Sequence, residues 1–330
     1  MKDGAPPIAH ALPDIHAADL VDFAADVRYY LSLDPRQLPS RYLYDALGSA
    51  LFEAICWLPW YRITRAEERL LAAHRQAILD RVRPSAVVEL GSGDGEKLRT
   101  LIERPHPAGD LTRIHLVDVS ANALRSASRA LQAMSTIEVV THNARYEDGL
   151  SEALDQRADH EKALVVFLGS NIGNYDPPGA AAFLHDVRSR LHPGDALLLG
   201  VDLIKPEREL LLAYDDPLGV TAAFNRNLLV RINRELHANF DVTRFDHQAT
   251  WNAQESRIEM HLVARANQEI YIEGSRLGLR MNRGERIWTE SSYKFEPDRI
   301  VDMLTLAKYR RVEQWIDPGD RFALTLAEAV

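Results

Sequence analysis

Apolar residues return every third or fourth position in "AADLVDFAADVRYYLSL" (17–33) and again in "YDALGSALFEAICWL" (44–58), which predicts two helices. Thr64-Arg-Ala-Glu67 has the form of a capping box and predicts the start of a third, "RAEERLLAAHRQAILDRV". From residue 86 onward, short and nearly all-apolar runs alternate with helical stretches. "AVVEL" precedes a helix over 95–104, and "IHLVDV" precedes "ANALRSASRALQAM". "IEVVTH" follows, and "ALVVFLG" leads to a helix opened by Asp176-Pro-Pro. "DALLLGVDL" closes the series. Uninterrupted apolar strands with helices between them predict a parallel sheet buried on both faces.

Near residue 204 the rhythm changes. After a helical "GVTAAFNRNLLVRINREL", the segments "TRFDHQATWN", "SRIEMHLVARA", "QEIYIEG", "RLGLRMN" and "RIWTESSYKF" read as antiparallel strands. Their junctions at Asn252-Ala-Gln-Glu255 and Asn282-Arg-Gly284 carry turn residues. A helix over Pro297–Tyr309 and two strands, "RRVEQWI" and "RFALTLAEA", end the chain. The pattern predicts an α/β sheet domain (64–203 and 295–330) interrupted by a β-rich insert (204–294). The amino-terminal helices (13–63) would pack on that insert, with a ligand between the two bodies at the carboxyl ends of the parallel strands.

Composition narrows the function classes. The 330 residues are 46% hydrophobic and 26% charged, a globular balance, and the net charge of −9 argues against a nucleic-acid surface. No run reaches the ~18 apolar residues of a membrane span. The opening "MKDGAPPIAHALPD" has no apolar signal core and reads as a loose leader. A cytoplasmic protein with neither membrane nor nucleic-acid partner is expected, and no helix stripe demands a second subunit, which is compatible with a monomer without establishing one. Cys56 is the sole cysteine, which leaves no disulfide framework and predicts a buried, inert thiol. None of the twelve histidines has metal-ligand spacing, so no metal is expected.

The stretch "VVELGSGDG" (87–95) joins a buried strand to a helix through glycines at 91, 93 and 95. A nicotinamide fingerprint would want its third glycine where Glu96 stands, and a Walker A loop would want Ser or Thr after Lys97, where Leu98 stands. Glu89-x-Gly91-x-Gly93-x-Gly95 instead resembles motif I of class I S-adenosylmethionine-dependent methyltransferases. Asp118, ending the next strand, would accept hydrogen bonds from ribose hydroxyls.

Taken together, "ELGSGDGEK", "FLGSNIGNYDP", "LLAYDDPLGVTAAFNRNLL" and "TESSYKF" resemble the histidine-specific Nα-methyltransferases of ergothioneine biosynthesis, from about Leu38 to the carboxyl end. That resemblance implies a Rossmann-like methyltransferase sheet with an inserted substrate-binding domain, S-adenosyl-L-methionine as cofactor, and L-histidine as substrate, trimethylated to hercynine. By the same resemblance, Asn174 contacts the amino and carboxylate ends of the substrate, Tyr61 and Tyr214 hold the carboxylate, and Tyr44 lines the pocket. Glu290 and Ser292, two apart on one strand, would share a face and pair with the two imidazole nitrogens, with Met260 against the ring. Gly91, Lys97, Asp118 and Tyr146 would hold the cofactor.

Two positions depart from the family pattern. Arg145 stands where an acid commonly receives the adenine amine, so Asn143 or a backbone carbonyl has to replace it, and Asn171 stands where threonine is common. Attack by the substrate nitrogen on the sulfonium methyl needs orientation more than a dedicated catalytic group. The competing readings are an N-methyltransferase for tryptophan or another amino acid, a nicotinamide dehydrogenase, and a non-enzymatic amino-acid or nucleoside sensor. Indole-specific relatives differ at the glutamate and methionine positions, so Glu290 with Met260 favours histidine.

Overall fold

The computed structural model describes residues 17–103, 111–132, 137–155, 157 and 161–330; the leader-like 1–14 stretch lies outside them. The amino-terminal part comprises α1 (Ala17–Leu31), the short strand β1 (Arg36–Gln37), α2 (Ala46–Trp57) and α3 (Ile63–Val82). The alternating region follows as β2 (Ala86–Leu90), α4 (Glu96–Ile102), β3 (Arg113–Val117), α5 (Ala121–Leu131) and β4 (Glu138–His142). It continues through α6 (Tyr146–Leu154), β5 (Ala163–Phe167), α7 (Pro177–Arg190) and β6 (Ala196–Asp202). Helices α8 (Glu207–Tyr214) and α9 (Val220–Leu236) lead into β7 (Phe245–Asn252), β8 (Arg257–Ala264), β9 (Gln268–Ile272), β10 (Leu277–Met281) and β11 (Arg286–Tyr293). The chain closes with α10 (Pro297–Leu306), β12 (Tyr309–Asp317) and β13 (Phe322–Ala329).

Seven strands form one sheet in the order β12-β13-β6-β5-β2-β3-β4. Strands β2 to β6 run parallel, while β13 is antiparallel to β6 and to β12. This is the class I methyltransferase form of the Rossmann-like sheet. Every residue of β2, β5 and β6 is buried, which is why those strands read as unbroken apolar runs.

A second sheet has the order β1-β11-β8-β7, with β9 and β10 as a separate hairpin. Here β1 pairs parallel with β11, Arg36 opposite Ile287 and Gln37 opposite Trp288. The amino-terminal segment is therefore stitched into the later strands by backbone hydrogen bonds as well as by packing. The chain leaves and re-enters the large sheet at one point, where Phe295 N–H donates to Asp202 O (3.2 Å) and Ile204 N–H donates to Phe295 O (3.0 Å). One apolar core runs unbroken from α1, α2 and α9 through the second sheet to one face of the large sheet. The opposite face packs separately on α6, α7 and α10.

Local details corrected two expectations. The Thr64–Glu67 capping box is not used: α3 begins at Ile63, and Arg62 at the N-cap makes no side-chain capping bond. Glu67 turns inward and is fully buried, because interior donors claim its carboxylate. Cys56 is half-buried rather than fully enclosed, and burial pushes its thiol pKa up. Asp176 caps α7 as expected, accepting the Gly179 N–H at 2.8 Å. Among the described residues no helix is long and apolar enough to cross a membrane.

Asp45 joins the amino-terminal helices to α9. Its Oδ1 accepts from Gly48 N–H (2.8 Å) and Asn227 Nδ2 (2.7 Å), and its Oδ2 accepts from Arg234 at 2.6 Å. Asp45→Ala removes a helix cap and two tertiary bonds together. Urea unfolding should show a loss of about 2–3 kcal/mol. A loss below about 0.5 kcal/mol, the range of ordinary surface changes, would contradict this role.

Candidate active site

The glycine turn follows β2 directly. Gly91, Gly93 and Gly95 all have positive φ (81°, 52° and 80°), a region costly for residues with a Cβ. A Cβ on Gly91 would lie 2.9 Å from Asn171 Nδ2 and 3.0 Å from the Tyr146 hydroxyl oxygen. One on Gly95 would lie 2.7 Å from Ala127 Cα, so Gly95 lets α4 approach α5 closely.

Acids surround this bare backbone. Asp118, just past β3, accepts the Ser120 N–H at 2.8 Å and the Gly93 N–H at 3.4 Å. Burial raises its pKa against the pull of these N–H groups. Glu89 is buried near the end of β2 with its pKa well above the usual range, chiefly through burial, and its Oε2 has no hydrogen-bond partner among the described residues. On α4, Lys97 Nζ lies 2.7 Å from Glu67 Oε2. Bare backbone, an acid hydrogen-bonded to the turn, an unpartnered carboxylate oxygen and a nearby ammonium fit a nucleoside carrying an amino-acid tail.

Tyr146 packs edge-on against Phe167, with ring centroids 5.4 Å apart, and Arg145 lies at the surface. Asn143 donates to the carbonyl oxygens of Asp118 and Val119, both at 3.0 Å. With its amide N–H groups committed, its side-chain oxygen is left as an acceptor.

Tyr44, Tyr61, Asn174, Tyr214, Met260, Glu290 and Ser292 all line one cavity. Phe52, Ile55 and Phe224 supply apolar wall, and Gly169 and Asn171 close the side nearest Gly91. The short segment Gly169–Asn174 therefore forms a wall shared by the cavity and the glycine turn.

The positions on β11 follow from a bulge. The register shifts between Trp288 and Glu290, so Trp288 faces His261 while Glu290 faces Met260, with Thr289 as the extra residue. Thr289 Oγ1 donates to Met260 O at 3.0 Å, and Trp288 Nε1 donates to Glu290 O at 2.9 Å, which fixes the bulge. Glu290 and Met260 thus stand opposite each other and point the same way.

Beyond them lies a buried polar knot. Lys294 Nζ donates to the Tyr214 hydroxyl (2.7 Å) and Ser292 Oγ (2.9 Å), and pairs with Asp202 Oδ2 at 3.0 Å. Burial pulls the Lys294 pKa down, but Tyr214 and Asp202 more than offset it and hold the ammonium charged. The Tyr214 hydroxyl and Ser292 Oγ are 2.9 Å apart, so anchors expected at different ends of a ligand share one charge.

In contrast, the Glu290 carboxyl and the Tyr44 and Tyr61 hydroxyls make no hydrogen bond to protein among the described residues, although they line the same cavity. Tyr61 is buried, while Glu290 and Tyr44 are half-buried, so these polar groups face the cavity and are open to a ligand. Burial pushes Glu290 up to about 7, with the Lys294 ammonium pulling the other way.

Lys294 and Glu67 escaped the sequence reading. Lys294 was legible as the next same-face position after Glu290 and Ser292; Glu67 was hidden by its resemblance to a capping residue.

Sheet order, glycine turn and cavity place the protein among the class I S-adenosylmethionine-dependent methyltransferases. The comparisons narrow this: the chain belongs to the family of SAM-dependent, histidine-specific methyltransferases, whose model matches residues 23–329. It is 43% identical over 304 residues to the histidine N-alpha-methyltransferase of Mycolicibacterium smegmatis, covering 92% of this chain and 93% of that one. It is 41% identical over 303 residues to the enzyme of that name from Mycobacterium tuberculosis, with the same coverage. Ergothioneine biosynthesis protein 1 of Neurospora crassa is 28% identical over 270 residues, which span 77% of this chain and 31% of that protein.

The raised Glu290 pKa has a consequence for stability. A carboxyl that binds its proton more tightly when folded destabilises the fold as pH rises. The penalty is absent below the usual carboxylate range, grows as pH approaches about 7, and is complete above it. Glu290→Gln should therefore be more stable than wild type by about 1–3 kcal/mol near pH 8, and nearly equal near pH 5. An equal difference at both pH values in chemical denaturation would contradict the assignment.

Proposed function

We propose that this protein methylates the α-amino nitrogen of L-histidine three times, with S-adenosylmethionine as donor, to form hercynine in the route to ergothioneine. The observation that carries this reading is the unpaired Glu290 carboxyl on a cavity wall beside Met260, next to a glycine turn suited to the donor. Family membership and the names of the two mycobacterial relatives support it.

In this reading Glu290 and Ser292 hold the imidazole, and Met260 lies against its ring. Tyr61 and Tyr214 hold the carboxylate, Asn174 contacts the amino and carboxylate ends, and Tyr44 closes the pocket. Lys294 donates to both hydroxyl oxygens of Tyr214 and Ser292, so the proton not shared between them is turned toward the ligand. Gly91, Lys97, Asp118 and Tyr146 form the donor site, and the Asn143 oxygen takes the place of the acid missing at Arg145. Residues 64–203 and 295–330 form the donor-binding body, and 13–63 with 204–294 the substrate-binding body. Their shared seam at Asp202–Phe295 and the β1–β11 pairing favour that division.

S-adenosylmethionine, when bound, supplies an electrophilic methyl carbon. The substrate α-ammonium, with a pKa of about 8 in peptides, must pass a proton to water, or enter as the neutral amine, to free its lone pair before transfer. Gly91, Lys97, Asp118 and Tyr146 would hold the donor so that its methyl group could be supplied to that lone pair. The protein's share is alignment: anchors at the imidazole and carboxylate hold the nitrogen in register while its N–H groups are replaced by methyls.

Incubation with S-adenosylmethionine and histidine should give mono-, di- and trimethylated histidine by mass spectrometry. Methylation of tryptophan or another amine with histidine untouched would overturn the substrate assignment. Glu290→Ala should raise the KM for histidine by about 30-fold, the scale of a lost charge-assisted hydrogen bond, with the Kd for S-adenosylhomocysteine unchanged. Equal changes in both constants would show that Glu290 does not serve the substrate.

A further inference from the structure

Glu67 touches both halves of the site without lining either. It lies near the start of α3, fully buried. Its two oxygens accept the Gly169 N–H at 3.0 and 2.9 Å, and Oε2 is also 2.7 Å from Lys97 Nζ. The large sheet is bare where the carboxylate lies: a Cβ on Gly200 of β6 would fall 1.9 Å from Glu67 Oε1. Gly169 itself has φ of 74° and opens the segment that presents Asn171 and Asn174 to the cavity. A Cβ on Gly169 would come within 3.3 Å of Lys97 Nζ, so the lysine, the loop and the carboxylate meet at one point.

A buried carboxylate is a poor device for stability alone, because a well-packed apolar side chain at the same place is as good or better. Here the carboxylate is fully used by one donor from each side of the site. We propose that Glu67 is a positioning residue that ties the two sites together, holding the Lys97 ammonium for the donor and the Gly169–Asn174 loop for the amino acid. This rests on the assignment of Lys97 to the donor and of the loop to the substrate.

The electrostatics agree with the geometry. Burial pulls the Lys97 pKa down, and Glu67, with Cys56 of α2 and Glu89 of β2, more than offsets it. Glu68, next to Glu67 on α3, also feels the ammonium, and Asp94 of the glycine turn acts on Glu89. Glu67 is the group among these that hydrogen-bonds Lys97, so neutralising it weakens the hold on the proton.

The test uses the full chain with Glu67→Gln and Glu67→Ala, reading the S-adenosylhomocysteine Kd by calorimetry and the histidine KM and kcat by product formation. Glutamine keeps an oxygen for the Gly169 N–H and loses the charge. Its histidine KM should stay within about twofold of wild type, while its Kd relative to wild type worsens as pH rises from about 6.5 to about 9. Alanine loses both contacts, and Kd and KM should each worsen about tenfold or more. If alanine does not fold, the glutamine variant alone decides. A pH-independent Kd ratio for glutamine, or wild-type Kd and KM in alanine, would overturn the proposal. If wild type binds S-adenosylhomocysteine but methylates no histidine, the functional reading fails, while the glutamine Kd series still reports on Glu67.

Discussion

One ammonium sits where the two sheets meet. Lys294 follows β11, Asp202 ends β6 and Tyr214 ends α8, so three segments of the chain converge on Nζ. A charge buried there without partners would cost several kcal/mol, which makes the seam specific. It closes with Asp202, Tyr214 and Ser292 all in place, and the backbone bonds between Phe295, Asp202 and Ile204 fix the same crossing. The cavity is the space this seam leaves beside it, and two of its polar groups owe their orientation to that ammonium.

From the seam outward the site becomes progressively less satisfied. Ser292 and Tyr214 are paired with each other and with Lys294, whereas the Glu290 carboxyl, one same-face step earlier on β11, has no hydrogen-bond partner among the described residues and an elevated pKa. The bulge at Thr289 sets Glu290 opposite Met260 on the cavity wall. On the far side, Gly91 and Asn171 bring the glycine turn against the cavity. The arrangement is hydrogen-bonded at its base and open in its middle.

Legibility in the sequence followed burial. Strands β2, β5 and β6 could be read because both their faces are covered, leaving no polar interruption. The antiparallel strands and their turns were likewise visible through alternation and turn residues. Helix α8 went unread, although Tyr214 at its end was picked out by motif resemblance. Same-face spacing correctly linked Glu290 with Ser292, but the bulge preceding them depends on pairing with β8 and leaves no mark in β11 alone. Glu67 shows the limit most clearly: its local spacing matched a helix cap, and tertiary donors from Gly169 and Lys97 overrode that local preference. The β1–β11 pairing joins segments about 250 residues apart, and no local pattern encodes it.

The central claim is that the cavity binds an amino acid with its imidazole toward Glu290 and its nitrogen toward the glycine turn. A crystal structure with histidine and S-adenosylhomocysteine tests it most directly. The account predicts an imidazole nitrogen within hydrogen-bond distance of the Glu290 carboxyl, and the α-nitrogen facing the sulfur across the wall formed by Gly169–Asn174. A histidine bound the other way round, or a Glu290 carboxyl turned from the ligand into solvent, would contradict it.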